Sequence, residues 1–401
     1  MLVFPPDILR TEIALPSSKS ISNRALVIRA LSGGDMPIGN VSDCDDSRVV
    51  EEALRLMPHV VDIKAAGTAM RFMTSLLAVL GGDHIITGTD RMQRRPIAVL
   101  VDALRSLGAD ITYMDMEGFP PLRIRGGRLT GGRLALPGNV SSQYISSLLM
   151  IAPTLKDGLV LELTGEVISR PYIDMTLAIM QQFGARAKWS DERTVCVEPV
   201  RYSPIPYYIE SDWSAASYWY EMVALAADPG AEVSLPGLFQ NSLQGDSKVA
   251  ELFSRLGVET RFCDNAVRLV KCSCDDGAFE YNLVEHPDLA QTIVVTCCMM
   301  GKHFRISGLQ TLRIKETDRI AALQKELGKL GFEIGVEGDD AMSWNGEMIS
   351  GRSEDCGVAI DTYEDHRMAM AFAPVALTRG SITINNPEVV SKSYPRFWED
   401  M

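Results

Sequence analysis

The chain has 401 residues, enough for two or three domains, and its 46% hydrophobic and 23% charged content with 32 Gly and 20 Pro excludes collagen-like, coiled-coil and largely disordered readings. Lys plus Arg number 39 against 52 Asp plus Glu, a net charge of −13, the wrong sign for a generic nucleic-acid or anionic-membrane binder. Any anion site must therefore be local.

From Met1 to Asp7 there is no basic segment leading into an apolar core, and no later stretch approaches the roughly eighteen apolar residues a membrane span needs. A cytoplasmic protein is expected. The eight cysteines (44, 196, 263, 272, 274, 297, 298 and 356) are scattered, with Cys297 and Cys298 in the apolar run QTIVVTCCMM, so buried thiols explain them better than a disulfide framework. Cys272 and Cys274 have the wrong spacing for a zinc knuckle and the five histidines form no HxxxH pair, so no metal and no cofactor is expected.

Along the chain, an apolar helix-length segment, a short loop and a strand-like segment recur six times: Ile21–Asn40, Met70–Gly88, Ser141–Gly165, Ser214–Gly237, Gln291–Gly308 and Arg367–Asn386. Their closing Gly or Asn residues, counted from Gly39, lie 49, 77, 72, 71 and 78 apart. A second series interleaves with the first: amphipathic helices ended by Gly108, Gly184, Gly257 and Gly331, at spacings of 76, 73 and 74. The apolar helices lack a polar face and are predicted to be buried, while the second series has charged faces and is predicted to be exposed. Six units of this length divide into two halves of three. The stretch Pro199–Tyr208 is the natural crossing between the halves, and the N-terminal residues complete the truncated sixth unit.

Polar residues stand before every apolar helix: Pro16–Ser20, Ala65–Arg71, Asn139–Gln143, Ser211–Ser214, His286–Gln291 and Tyr363–Arg367. Helix N-termini of this kind favour anions through free backbone N–H groups and the positive end of the dipole. After the strands come Arg48, Arg95, Arg170, Gln244 with Asp246, Lys315 with Arg319, and Lys392. Singly, each has a plainer reading. Ser-Ser before a helix is ordinarily a cap, Glu316 and Arg319 are i,i+3 partners, and GTAMR has too few glycines for a Walker loop. Their joint occurrence carries the inference.

In order, the chain contains PSSKSISNRAL, AGTAMRFM, RMQRRPI, GNVSSQYISSLLM, SRPYIDMT, NSLQGD, RIKETDRI, YEDHRMAMAF and SKSYPRFW. This set resembles the 5-enolpyruvylshikimate-3-phosphate synthase family, the 3-phosphoshikimate 1-carboxyvinyltransferases, over essentially the whole length. The resemblance implies an α/β fold, a two-domain inside-out α/β barrel of six βαβαββ units, three per domain. Residues 15–209 would form the N-terminal domain and 1–14 plus 210–401 the C-terminal one, with the active site in the interdomain cleft. The implied reaction transfers the enolpyruvyl group of phosphoenolpyruvate to the 5-hydroxyl of shikimate 3-phosphate, by addition and elimination through a tetrahedral intermediate, on the route to chorismate and the aromatic amino acids.

By the same resemblance, shikimate 3-phosphate is held by Lys19, Ser20, Arg24, Ser141, Ser142, Gln143, Ser169, Tyr172, Asp288 and Lys315. Phosphoenolpyruvate is held by Lys19, Gly67, Arg95, Gln143, Arg319, Arg367 and Lys392. Asp288, Glu316, Lys19 and Lys315 are the candidate catalytic groups: Asp288 as proton acceptor near the 5-hydroxyl, Glu316 for proton exchange at the methylene carbon, Lys315 as electrostatic partner or proton donor. The partners implied are these two small molecules, with no nucleic acid, no membrane and a monomeric state. Ala65, Phe72 and Thr311 depart from the commoner pattern, which frequently has Asn, Pro and Asn there. The rivals are the UDP-N-acetylglucosamine enolpyruvyl transferase and a non-catalytic anion-binding relative. The first has an early Lys-Asn pair and a mobile-loop cysteine, whereas here Lys19 precedes Ser20 and no cysteine lies between Cys44 and Cys196. The second would have lost basic or acid-base residues, and none of the core set is missing.

Overall fold

Six helices carry the apolar segments: Lys19–Ser32, Gly67–Val79, Ser142–Ile151, Trp213–Leu225, Ala290–Met299 and His366–Phe372. In the computed structural model, which describes residues 1–6, 8–350 and 357–401, these helices are buried almost all round, as segments without a polar face must be. The interleaved helices Asp45–Leu56, Ala98–Ser106, Arg170–Gln182, Val249–Ser254 and Arg319–Lys329 bury one side and expose the other. All four glycines that follow the second series adopt positive φ, between 82° and 101°, the left-handed conformation that ends a helix. Cys356 lies outside the described residues. The seven described cysteines are unpaired thiols. Among the described residues no helix is long and apolar enough to cross a membrane.

The chain divides into two compact units, Ser17–Ile209 and Met1–Pro16 with Glu210–Met401. Among the described residues each holds three sheets. In the first unit, Val60–Asp62, Gly82–Thr87, Leu122–Gly126 and Asp110–Tyr113 lie in that spatial order, the first pair parallel and the rest antiparallel. Gly132–Pro137, Leu159–Thr164, Thr194–Val197 and Ala187–Trp189 repeat the pattern. In the second unit the same order and polarity recur in Arg10–Glu12, Glu232–Pro236, Ala266–Lys271 and Val258–Cys263, and again in Phe279–Asn282, Phe304–Ser307, Ala341–Trp344 and Gly335–Glu337. Parallel neighbours need a helical crossover, which the apolar helix supplies, so each sheet packs its inner face on that helix.

The remaining two sheets are smaller. Tyr207–Tyr208 runs parallel to Ile38–Gly39, and Leu2–Val3 pairs antiparallel with Ile382–Ile384, which is parallel to Ala359–Ile360. Both short parallel pairings join segments distant in sequence within a single unit: Arg10–Glu12 precedes the Lys19–Ser32 helix in sequence yet pairs with Glu232–Pro236 of its own unit, and Tyr207–Tyr208, at the end of Ser17–Ile209, pairs with Ile38–Gly39 near its start.

Close helix-to-sheet packing shows at Gly126, paired with Gly82 at a strand end. A Cβ there would lie 1.4 Å from the Leu80 carbonyl oxygen and 2.6 Å from that of Leu77. Both obstacles are backbone and cannot swing aside. Gly126→Ala should therefore lower stability by at least about 2 kcal/mol. Gly81→Ala, where no atom lies within 4 Å of the new carbon, should stay within about 0.5 kcal/mol of the parent. Chemical denaturation of the two variants tests this, and equal midpoints would refute the packing argument.

Candidate active site

Within Ser17–Ile209, the N-termini of three buried helices carry the predicted residues. Ser18 caps the first helix by accepting from the Ile21 amide at 3.4 Å, so Lys19 and Ser20 open its first turn. Lys19 Nζ lies 3.4 Å from the buried Asp46 carboxylate. One turn on, Arg24 is buried with its fork fully engaged. Nε donates to Thr176 Oγ1 at 2.7 Å, Nη1 to the Ser20 carbonyl at 2.8 Å, and Nη2 to Ser146 Oγ at 3.2 Å and the Tyr172 carbonyl at 3.3 Å. Its guanidinium stands 5.4 Å from the centre of the Phe72 ring. Burial brings Arg24 down to about 10, which still leaves it charged at neutral pH. The departure at Phe72 thus has a structural role: it supplies the aromatic face beside Arg24 where proline would supply none. Ala65 is exposed.

Ser141 caps the Ser142–Ile151 helix through the Gln143 amide at 3.4 Å, and Gln143 Nε2 reaches Thr68 Oγ1 at 3.0 Å, joining two helix starts. Ser169, at φ 53°, stands left-handed before the Arg170–Gln182 helix that carries Tyr172. The helix beginning at Gly67 has no side-chain cap, which leaves its first N–H groups without an intrahelical or capping acceptor. A Cβ at Gly67 would lie 2.6 Å from Arg95 Nη1 and 3.1 Å from Arg71 Nη1, so two guanidiniums crowd this start. The motif order alone gives Arg71 no role. It is buried, donates to the Gly67 carbonyl at 2.9 Å and lies 5.5 Å from the centre of the Tyr144 ring, whose hydroxyl in turn donates to the Pro96 carbonyl beside Arg95. Its position one turn after Gly67 was the available signal.

In the other unit a second set gathers around two carboxylates. Arg319 is buried, and its Nε donates to Asp365 at 2.7 Å, Nη2 to Glu316 at 2.9 Å and Nη1 to Asp288 at 3.2 Å. Arg367 Nη2 donates to the other Asp288 oxygen at 2.9 Å, Lys315 Nζ lies 3.7 Å from Asp288, and Lys392 Nζ donates to Glu316 at 3.2 Å. The Glu316 and Arg319 pair is therefore no solvated surface bridge. It belongs to a network of four cations and three carboxylates. Asp365, which the sequence marks only as a motif member, is fully buried, caps the His366–Phe372 helix through the Arg367 amide at 2.9 Å and orients Arg319. Arg48 and Arg170 are drawn into neither set: Arg48 is exposed, and Arg170 lies 4.1 Å from the centre of the Trp189 ring.

Burial would push the Asp288 carboxyl up, but Arg367, Lys315 and Arg319 together more than reverse this and hold it well below the usual carboxylate range. Arg319 is lowered by burial and raised further by Asp365, Glu316 and Asp288, so it stays charged. Asp246, reached by the Ser214 hydroxyl, behaves oppositely: burial first, then the Asp288 charge, raise it to about 6 against the opposing pull of Arg367. Among the described residues, no group of three or more His, Cys, Asp or Glu is placed to hold a metal ion.

The raised Asp246 yields a pH prediction. Between its unfolded value near 4 and the folded value of about 6 the native state binds more protons than the unfolded state, so Asp246 makes stability fall as pH rises through that window. Above it the penalty is constant. Asp246→Asn, which mimics the protonated form, should raise the melting temperature relative to the parent at pH 7.5 and show little difference at pH 4. A variant less stable than the parent at pH 7.5 would contradict the assignment.

The family model for EPSP synthase (3-phosphoshikimate 1-carboxyvinyltransferase) matches residues 3–59 and 56–401. A 3-phosphoshikimate 1-carboxyvinyltransferase of Bacteroides fragilis (strain YCH46) is 54% identical over 400 residues, covering 100% of this chain and 96% of the relative. One from Vibrio cholerae serotype O1 (strain M66-2) is 36% identical over 423 residues, covering 98% and 97%. The solved EPSP synthase of Acinetobacter baumannii has the same fold, with a TM-score of 0.77 at 21% identity over 100% of this chain and 96% of that one. With the motif order, the repeated sheets and the whole length in agreement, the chain belongs to the EPSP synthase family.

Proposed function

We propose that this chain transfers the enolpyruvyl group of phosphoenolpyruvate to the 5-hydroxyl of shikimate 3-phosphate and releases phosphate. The observation that carries the reading is the enclosure of Asp288 and Glu316 by Arg319, Arg367, Lys315 and Lys392 in a protein of net charge −13. Each substrate carries a carboxylate and a phosphate monoester, the latter worth about −1.5 to −2 charges at neutral pH. Two such anions approach only where fixed cations offset their repulsion.

In this reading Arg95, Arg319, Arg367 and Lys392 hold phosphoenolpyruvate, with Gly67 offering backbone N–H where a side chain would intrude. Lys19, Ser20, Ser141, Ser142, Ser169 and Tyr172 hold shikimate 3-phosphate, Gln143 touches both, and Asp288 and Lys315 face the reacting hydroxyl. Arg24, with its donors already engaged, contributes charge rather than a free fork. Both residue sets are needed in one turnover. Because one chain supplies both, we read the enzyme as a monomer. Its unpaired thiols fit the cytoplasm.

The chemistry adds a proton to the methylene carbon of phosphoenolpyruvate and bonds the 5-oxygen to its C2. Loss of phosphate and of one methyl proton then restores the double bond. A carboxylate held as low as Asp288 is a weak base. The substrate anions relieve this by drawing on the same arginines: as Arg319 and Arg367 turn to phosphate or carboxylate, Asp288 loses its depressing partners and its proton affinity rises. Glu316, between Arg319 and Lys392, is placed for proton exchange at the methylene carbon. Lys19, Lys315, Asp288 and Glu316 share these proton-transfer and charge-stabilising roles.

Phosphate release should therefore require shikimate 3-phosphate and not UDP-N-acetylglucosamine, and turnover with the nucleotide sugar alone would overturn the assignment. Asp288→Asn and Lys19→Ala, each in a different unit, should fold and lose at least about a hundredfold in kcat; near-normal rates in both would refute the mechanism. Gly67→Ala places a methyl 2.6 Å from the Arg95 tip. That arginine can swing aside, so the fold should survive while KM for phosphoenolpyruvate rises about tenfold and KM for shikimate 3-phosphate stays within about twofold. A reversed pattern would place Gly67 on the wrong substrate.

A further inference from the structure

The loop that delivers Asp365 is strained. Tyr363 and Glu364, neither of them glycine, both lie in the left-handed region, at φ 54° and 55°, immediately before the carboxylate that orients Arg319 and caps the helix carrying Arg367. Consecutive non-glycine residues hold such a conformation only when their surroundings over-determine it.

Glu326 has a fully buried side chain with no part in the proton transfers. One of its oxygens accepts from the Asp361 amide at 3.0 Å and lies 2.6 Å from Lys329 Nζ, while the other accepts a short hydrogen bond from the Tyr363 hydroxyl. Lys329 also reaches Asp361 at 2.9 Å and the Ala359 carbonyl at 3.0 Å, and Lys325 Nζ lies 5.5 Å from the centre of the Tyr363 ring. The Asp365 amide closes the turn on the Thr362 carbonyl at 2.8 Å. Burial, reinforced by Glu326, pushes the Tyr363 hydroxyl upward, so it remains a donor at any physiological pH.

Arg319 and Glu326 belong to one helix, Arg319–Lys329. Seven residues is close to two turns, so both project from the same face. That face grips the strained turn at two points: Glu326 holds Asp361 and Tyr363, and Arg319 holds Asp365. We propose that Glu326 and Tyr363 are positioning residues that clamp this left-handed turn, and through Asp365 set the forks of Arg319 and Arg367 for phosphoenolpyruvate. The inference rests on the assignment of those arginines to phosphoenolpyruvate made above.

The test is steady-state kinetics of Tyr363→Phe, Glu326→Gln and the double variant, in the full-length protein, with Arg319→Lys as the control for the underlying reading. Tyr363→Phe keeps the ring and removes only the hydroxyl, so a folded variant is available. The expected result is a rise in KM for phosphoenolpyruvate of about tenfold in each single variant. KM for shikimate 3-phosphate should stay within about twofold, and the double variant should be no worse than the poorer single one, because the pair acts as a unit. Should Arg319→Lys raise KM for phosphoenolpyruvate while both clamp variants leave it unchanged, the clamp is wrong and the site reading stands. Should Arg319→Lys also leave it unchanged, the reading beneath the clamp fails and the clamp with it. A lowered melting temperature with both Michaelis constants unchanged would make the pair merely structural and overturn the proposal.

Discussion

Burying ionised groups is the constraint that organises this molecule. Arg319 is almost wholly removed from solvent and is in contact with Asp365, Glu316 and Asp288, while Asp288 is shared with Arg367 and Lys315. Each charge is tolerable only because its neighbours neutralise it, and removing one leaves the others exposed to the full desolvation penalty. Such a network adds little net stability compared with an apolar core of the same volume. What it confers is position. The planar fork of Arg319 has three carboxylates arranged around it, and a flexible lysine could not hold all three in register.

The same constraint acts more quietly in the other unit. Arg24 is buried with hydroxyls and carbonyls as partners instead of carboxylates, and burial lowers its proton affinity where that of Arg319 rises. An arginine held by neutral acceptors keeps its positive charge uncompensated. In the proposed function it is therefore the charge available to attract an anion, whereas the Arg319 cluster would exchange an internal carboxylate for a substrate group. On that proposal, two ways of burying a guanidinium give two different responses to ligand.

The backbone supports both arrangements by repetition. Four complete sheets share one order, a parallel pair followed by two antiparallel strands, and each places the N-terminus of a buried helix at the same point of its unit. That point is where Gly67, Ser142, Trp213 and Ala290 begin their helices, and the first backbone N–H groups of a helix lack intrahelical partners. Because Arg10–Glu12 pairs with Glu232–Pro236, one unit draws its sheets from two separate stretches of chain, whereas Ser17–Ile209 builds its sheets from one continuous stretch. The chain passes between the units twice, and a parallel strand pairing within the unit being left precedes each passage.

Much of this was readable in advance. Apolar periodicity marked the six buried helices because a segment without a polar face has no alternative to burial, and regular glycines marked the ends of the second series because left-handed caps favour that residue. Ordered motifs identified the family and nominated the charged residues, since local sequence carries residue type and spacing. Contact across sequence was beyond it. That Arg319 meets Asp365 forty-six positions away, that Phe72 lies against Arg24, that Arg71 shares the crowded start of its helix with Arg95, and that Glu326 restrains the turn at Tyr363 depend on which faces the repeats bring together. So does the pairing of Arg10–Glu12 with the distant Glu232–Pro236, because a two- or three-residue strand has no preference for one parallel partner over another until the sheets are assembled. Sequence determined the elements, their number and the chemistry they carry; tertiary structure decided which charges neutralise one another, because electrostatic and packing energies depend on distance and burial, and neither is a property of residues taken in order.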